Sequence, residues 1–336
     1  MASTQIPALS DLIIHTPLVS FPSISSPLLP SYPHTVHLKL ENLQNSSSYK
    51  IRGIGNMCIK RCQEGVKHLV CSSGGNAGLA GVFAANKLNT PITVYLPTTT
   101  PTFIVQRLKQ QSATVIVKGD VWNVADEVAR DACKEEGYGY IPPFEHPYLW
   151  EGHASMVHEI HQDLSRRGDK KSPDLMVVAV GGGGLLNGVV QGLKEVGWES
   201  TKVLAMETIG ADSLNQSYKA GYCISLPEIT SIAKSLGSKS PSPTALQHVI
   251  EGRAISSTVT DAAAVDACLK FADDYRMIIE PSCGAALSVV YNTSIIADMQ
   301  LSGMLPQGKL NIVVIVCGGS VVNLQQLQEW KIAFNL

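Results

Sequence analysis

The sequence predicts an α/β protein of two doubly wound domains with mostly parallel sheets, and three observations carry that expectation. Short apolar runs at His68–Cys71, Ile92–Leu96 and Thr114–Val117 alternate with helical patterns at Asn76–Leu88, Pro101–Gln111 and Trp122–Glu136. Strands separated by helices of that length make βαβ units, which build parallel sheets. A second alternating series follows Pro142-Pro143, and 336 residues are enough for two cores. Finally, several apolar runs end in glycine-rich loops, the carboxyl-edge position where open α/β sheets bind ligands.

Taken in order, residues 1–33 are rich in Pro and Ser and read as an irregular arm. Val36, Leu38 and Leu40 alternate with polar residues, which predicts a strand. Ile51, Ile54 and Cys58 then fall on one helical face. Thr100 before Pro101 reads as a capping hydroxyl with proline at the first helical position. The second series holds a helix at Tyr148–Leu164, a wholly apolar strand at Leu175–Val180, a strand at Val203–Glu207 and a helix near Ala211–Ala220. Residues 221–245 read as a long loop, followed by helices at Thr260–Tyr275 and Ser282–Met299 and a last strand at Ile312–Val316.

A net charge of −2 gives no reason to expect nucleic acid or an anionic membrane as partner. No apolar run approaches the ~20 residues that span a bilayer. The N-terminal stretch lacks the basic and apolar regions of a secretory signal, and the first arginine is Arg52, unlike an Arg-rich transit peptide. Eight cysteines are scattered without a CxxC or His/Cys metal spacing, so they read as reduced core residues and the cytoplasm is the expected compartment.

Four stretches carry chemistry. Lys50, in Ser46-Ser47-Ser48-Tyr49-Lys50-Ile51-Arg52-Gly53, falls at a strand-to-helix junction. The positive end of the helix dipole, Arg52 and apolar neighbours all favour a neutral amine there, the form that attacks a carbonyl. By itself such a lysine reads more readily as a solvated residue of a Ser-rich loop, and the company it keeps further along changes that reading. Gly181-Gly182-Gly183-Gly184 follows the apolar strand and opens a helix at Leu185, so backbone N–H groups and the dipole point at one anion. It has neither dinucleotide-fingerprint spacing nor a P-loop ending, and its bland alternative is a hinge. Ser72-Ser73-Gly74-Gly75-Asn76-Ala77-Gly78 is a second such loop, suited to a carboxylate or simply a well-capped helix start. Cys317-Gly318-Gly319-Ser320 places a thiol at the end of the last strand. A lysine, a phosphate cradle, a carboxylate cradle and a thiol together suit a monophosphate carrying an aldehyde, pyridoxal 5′-phosphate (PLP).

These motifs make the chain similar to PLP enzymes of the tryptophan-synthase-β type (fold type II), and it most resembles catabolic L-serine/threonine dehydratases. The resemblance also runs through Ile141-Pro142-Pro143-Phe144, Trp150-Glu151-Gly152-His153-Ala154-Ser155, Ala205-Met206-Glu207-Thr208, Glu280-Pro281 and Cys283-Gly284-Ala285. It implies that Lys50 carries the cofactor and acts in catalysis, that Gly181, Gly182, Gly183, Gly184 and Leu185 hold its phosphate, that Asn76 meets the ring hydroxyl, that Cys317 faces the ring nitrogen, and that Phe144 lies beside cofactor or substrate. Ser72, Ser73, Gly74, Gly75, Asn76 and Ala77 would take the substrate carboxylate. The implied division is a large PLP-binding domain (1–52 plus 149–336) and a small substrate-binding domain (53–148), with PLP in the cleft between them. Glu207 resembles a residue that ligates potassium, with carbonyls near Gly181, Ala211, Leu236 and Ser238 completing the shell; a carboxylate capping the next helix is the alternative. A homodimer is implied, without the regulatory domain of biosynthetic threonine deaminases.

The implied reaction is dehydration and deamination of L-serine to pyruvate and of L-threonine to 2-oxobutanoate. A neutral Cys317 thiol makes the ring a weaker electron sink, which favours β-elimination over transamination. Racemisation is disfavoured because Gly74 offers no hydroxyl, and β-replacement because a Thr-Ser-Gly-Asn-Thr-Gly loop is missing. A dinucleotide-dependent oxidoreductase would explain the glycine loops without using Lys50. The chain has Ser47 where the family usually has glycine, which restricts the loop, while Gly74 is expected to leave extra room for the substrate side chain.

Overall fold

The structure, a computed structural model, describes residues 6–22, 26, 32–169 and 171–336. Its elements are β1 (Leu18–Phe21), β2 (Thr35–Lys39), α1 (Lys50–Gln63), β3 (His68–Cys71), α2 (Asn76–Lys87), β4 (Ile92–Leu96), α3 (Thr102–Gln110), β5 (Thr114–Val117), α4 (Trp122–Ala132), β6 (Tyr138–Ile141) and α5 (Pro147–Arg166). They continue with β7 (Leu175–Ala179), α6 (Gly184–Glu195), β8 (Lys202–Thr208), α7 (Ser213–Ala220), α8 (Pro243–Ile250), β9 (Ala254–Val259), α9 (Asp261–Tyr275), α10 (Pro281–Tyr291), α11 (Ser294–Leu301), β10 (Asn311–Ile315) and α12 (Leu324–Ala333). The described residues pack as two compact units, those up to 14 with 43–153 and those from 15 to 42 with those from 154 to 336.

The first unit is built on a four-stranded parallel sheet of order β5-β4-β3-β6. Every residue of β4 is buried, as a central parallel strand requires, whereas the edge strand β5 leaves Ile116 and Val117 exposed. Helix α2 is built from small residues, and a Cβ at Gly81 would touch Ile54 of α1 and Ile92 of β4, so the helix lies close against both. The second unit carries a six-stranded sheet of order β1-β2-β10-β7-β8-β9, parallel except for β1. The strands β7 and β10 are almost wholly apolar and buried, and α10 is buried along its whole length. Among the described residues no helix is long and apolar enough to cross a membrane.

The two-sheet α/β organisation expected from the sequence is the one observed, with local corrections. The arm is not wholly irregular: β1 pairs antiparallel with β2, while positions 1–5, 23–25 and 27–31 of the arm lie outside the described residues. Thr100 does not cap α3; Pro101 (ψ 137°) is the extended residue before the helix, and no side chain caps it. The long loop ends at Ser242, whose hydroxyl accepts the Ala245 N–H while Pro243 opens α8. Strand β6 escaped notice because Gly139 interrupts an aromatic run, and β9 because Ser256 and Ser257 break its apolar pattern. The single helix expected at Ser282–Met299 is two, because Asn292 is extended and its side-chain oxygen accepts from Ser294 instead.

Candidate functional site

In the first unit, Lys50 is the first residue of α1. The turn before it is tight: Ser47 has φ +61° and its N–H donates to the Gln44 carbonyl at 2.6 Å. Non-glycine residues avoid that left-handed region, so the turn is held by its surroundings. The Lys50 amine lies 5.2 Å from the centre of the Tyr49 ring and donates to the Pro143 carbonyl at 3.0 Å. Behind it, His153 is fully buried, and burial first, then the charges of Lys50 and Arg52, push its imidazole well below the usual range. His153 is therefore neutral. Gly53 is required by this packing, since a Cβ there would fall 2.5 Å from the imidazole.

Strands β3 and β6 are parallel neighbours with Cys71 opposite Ile141, so the loops that follow them leave the same sheet edge. One is Pro142–Phe144, whose last carbonyl accepts the Trp150 indole N–H at 3.0 Å. The other is Ser72–Ala77, leading into α2 at Asn76. The structure thus brings Lys50, Phe144 and the Ser72–Ala77 loop to one edge of this unit. Gly78 lets the loop fold back, because a Cβ there would overlap the Ser73 carbonyl. Two details differ from expectation. The room anticipated at Gly74 is filled, since a Cβ would meet Leu96 at 3.0 Å and Ile104 at 3.2 Å. Ser72 is buried with its hydroxyl and carbonyl engaged: the hydroxyl donates to Asp126 at 2.6 Å and the carbonyl accepts from Trp122 at 2.9 Å.

In the second unit, β10, β7 and β8 are adjacent and parallel, so Cys317, Gly181 and Glu207 gather at their carboxyl ends. Gly183 caps α6 with φ +96°, in the left-handed region that favours glycine. Gly181 lies against Leu236, and the Gly182 carbonyl accepts the Ser242 N–H at 2.8 Å. The Ser242 hydroxyl also accepts from Asn187 of α6 at 2.9 Å, which ties the loop before α8 to the glycine run. With glycines over the turn and the N–H groups of the first turn of α6, this cradle fits a phosphate.

Cys317 is buried, and a hydrogen bond with Cys283, followed by burial, holds its thiol far above the usual thiol range. The thiol stays protonated. Glu280, which the sequence reading did not place, accepts from Ser235 at 2.6 Å and from the Val321 N–H at 2.9 Å. A Cβ at Gly319 would overlap its carboxylate, so Glu280 shapes the loop after Cys317. Glu207 is fully buried and accepts the Leu214 and Asn215 N–H groups at 2.8 Å each, capping α7. These bonds favour the anion, yet burial outweighs them and its carboxyl is pushed up to about 8. Of the carbonyls expected beside Glu207, Leu236 accepts from Ser238 at 2.7 Å; Ala211 donates its N–H to Thr208. Among the described residues no cluster of His, Cys, Asp or Glu suits a metal ion.

The profile described as pyridoxal-phosphate dependent enzyme matches residues 9–318. The human protein named serine dehydratase-like is 46% identical over 88% of this chain and 88% of its own. Human L-serine dehydratase/L-threonine deaminase is 46% identical, covering 88% of this chain and 89% of its own. In solved structures, a fungal L-serine ammonia-lyase from Rhizomucor miehei aligns with a TM-score of 0.85 at 34% identity, over 96% of this chain and 99% of that one. The end-to-end match identifies the chain as a member of the pyridoxal-phosphate dependent enzyme family, in its serine dehydratase group.

Proposed function

We propose that the protein is a PLP-dependent ammonia-lyase that dehydrates and deaminates L-serine to pyruvate and L-threonine to 2-oxobutanoate. The observation that carries this reading is the Lys50 amine at the first turn of α1, hydrogen-bonded to Pro143 on the same sheet edge as the Ser72–Ala77 loop. When bound, PLP supplies an electron sink for the pair left at the substrate Cα. Lys50 would hold the cofactor, and its amine Nζ would accept the α-proton of the substrate. Gly181 to Leu185 hold the phosphate with backbone N–H groups. Asn76 and Phe144 orient the ring, and the loop receives the substrate carboxylate. The protonated Cys317 thiol would face the ring nitrogen as a neutral group and leave it uncharged, which suits loss of the β-hydroxyl. In this division of labour residues 53–148 carry the substrate loop, with Asn76 and Phe144 beside the ring, and residues 1–52 with 149–336 carry the Lys50 amine and the phosphate cradle.

Relatives named for both serine and threonine support a shared activity, since one methyl group in an apolar pocket discriminates by only ~1–3 kcal/mol. A potassium ion at Glu207 with the carbonyls of Gly181, Ala211, Leu236 and Ser238, a homodimer and a cytoplasmic location belong to the same reading. The test is borohydride reduction of the purified protein followed by peptide mass spectrometry, with a 2-oxo acid assay over L- and D-β-hydroxy and β-thiol amino acids. The pyridoxyl group is expected on Lys50, with turnover of L-serine and L-threonine. Label on another lysine, or turnover confined to other substrates, would overturn the assignment.

A further inference from the structure

Helix α4 grips Ser72 at two points. Trp122 and Asp126 are four residues apart and so share a helix face; the first donates to the Ser72 carbonyl and the second accepts the Ser72 hydroxyl. Asp126 is itself held. Its Oδ1 also accepts the Tyr140 hydroxyl from β6, and its Oδ2 accepts the Arg130 Nε at 2.8 Å. Tyr140 closes the ring, 3.1 Å from the Ser72 hydroxyl, with the Arg130 guanidinium 4.3 Å from its ring centre. Ser72 and Asp126 are both buried, so three protein groups, the Ser72 and Tyr140 hydroxyls and the Arg130 Nε, meet the Asp126 oxygens in place of water. Burial and the Asp126 hydrogen bond push the Tyr140 phenol far up, so it stays a donor.

We infer that Asp126, with Tyr140 and Trp122, is a positioning device that sets the pose of the Ser72–Asn76 loop, and that Ser72 acts through this anchor rather than by touching the substrate. The proposal rests on the reading of that loop as the site of the substrate carboxylate. The Ser72 hydroxyl has one proton, and Asp126 takes it. Downstream, the Ser73 N–H is turned toward the Cys71 sulfur at 3.4 Å, and the Ser73 carbonyl lies over Gly78. Freeing Ser72 would therefore loosen the donors that follow it while leaving Lys50 and the glycine cradle of the other unit in place.

The test uses the holoenzyme with Ser72→Ala, Asp126→Ala, Asp126→Asn, Tyr140→Phe, the double variant Ser72→Ala/Asp126→Ala, and Ser73→Ala as a probe of the loop itself. Steady-state kinetics with L-serine give KM and kcat. Binding of glycine, which has the carboxylate but no leaving group, is read from the change it makes in cofactor absorbance. Ser72→Ala and Asp126→Ala are each expected to raise KM and the glycine dissociation constant by about tenfold, the scale of one charge-assisted hydrogen bond, with kcat and the resting spectrum little changed. The double variant is expected to be no worse than Asp126→Ala, because both changes cut the same link. Asp126→Asn and Tyr140→Phe are expected to fall between wild type and Asp126→Ala, and they carry the test if Asp126→Ala does not fold. If Ser72→Ala weakens glycine while no Asp126 variant does, Ser72 touches the ligand and the proposal falls. If Ser73→Ala weakens glycine and both Ser72 and Asp126 variants match wild type, the anchor falls but the loop reading stands. If Ser73→Ala is also without effect, the loop reading falls and takes the proposal with it.

Discussion

Replacing Gly183 by alanine tests whether the phosphate cradle is set by backbone shape. Two costs are readable. At φ +96° a side chain enters the left-handed region, which costs about 1–2 kcal/mol. The new Cβ would also lie 2.5 Å from the Ala245 Cβ, where carbon pairs settle at about 3.5–4.0 Å. Overpacking of that kind costs about 1–3 kcal/mol, so Gly183→Ala should lose about 2–5 kcal/mol in all. Gly197 in the same unit provides the control, because it has φ +75° with nothing within 4 Å of a Cβ. Gly197→Ala should carry only the backbone cost, and the gap between the two variants isolates the contact with α8. Adding Ala245→Gly to Gly183→Ala should recover much of that gap, less about 1 kcal/mol for glycine inside a helix. The assay is urea unfolding of the cofactor-free protein followed by circular dichroism, with PLP affinity measured separately and expected to weaken in Gly183→Ala. The reasoning is refuted if Gly183→Ala costs no more than Gly197→Ala, or if Ala245→Gly gives no rescue.

Ser47→Gly should raise stability by up to about 1 kcal/mol, because Ser47 holds φ +61° and glycine does so without a Cβ clash; a lower urea midpoint would contradict this. Glu207, whose carboxyl is pushed up to about 8, makes stability depend on pH. Its folded-state value lies above the unfolded one, so its contribution is complete below the unfolded value, falls by about 1.4 kcal/mol per pH unit above it, and is gone past the folded value. Glu207→Gln should flatten that slope in urea unfolding between pH 5 and pH 9. Potassium should flatten it in the wild type too, by favouring the anion; indifference to exchanging K⁺ for tetramethylammonium would sink the cation site.

The α/β class and the positions of β3 and β4 could be read from the residues, because parallel strands buried on both faces leave near-continuous apolar runs, and the exposed edge strand β5 from its β-branched run Thr114–Val117. The candidate loops were equally legible, since glycine runs at strand ends and a lysine at a helix start are local patterns. Where a buried strand carries Gly139 or paired serines, that local signal fails, and β6 and β9 are specified by the neighbours they bond to. The same limit applies to side chains. The sequence says that Ser72 is in a loop; only the packing of α4 decides that its hydroxyl belongs to Asp126, 54 residues away. Gly74 looks like open space in one dimension, yet Leu96 and Ile104 fill the place its side chain would take. Glu207 could be read as a ligand or a cap, and only the fold shows that it accepts two N–H groups at the start of α7. Periodicity and loop chemistry are properties of neighbouring residues, so the chain alone determined them. Burial, room and the partner of each polar atom depend on residues far apart in sequence, which only folding brings within reach.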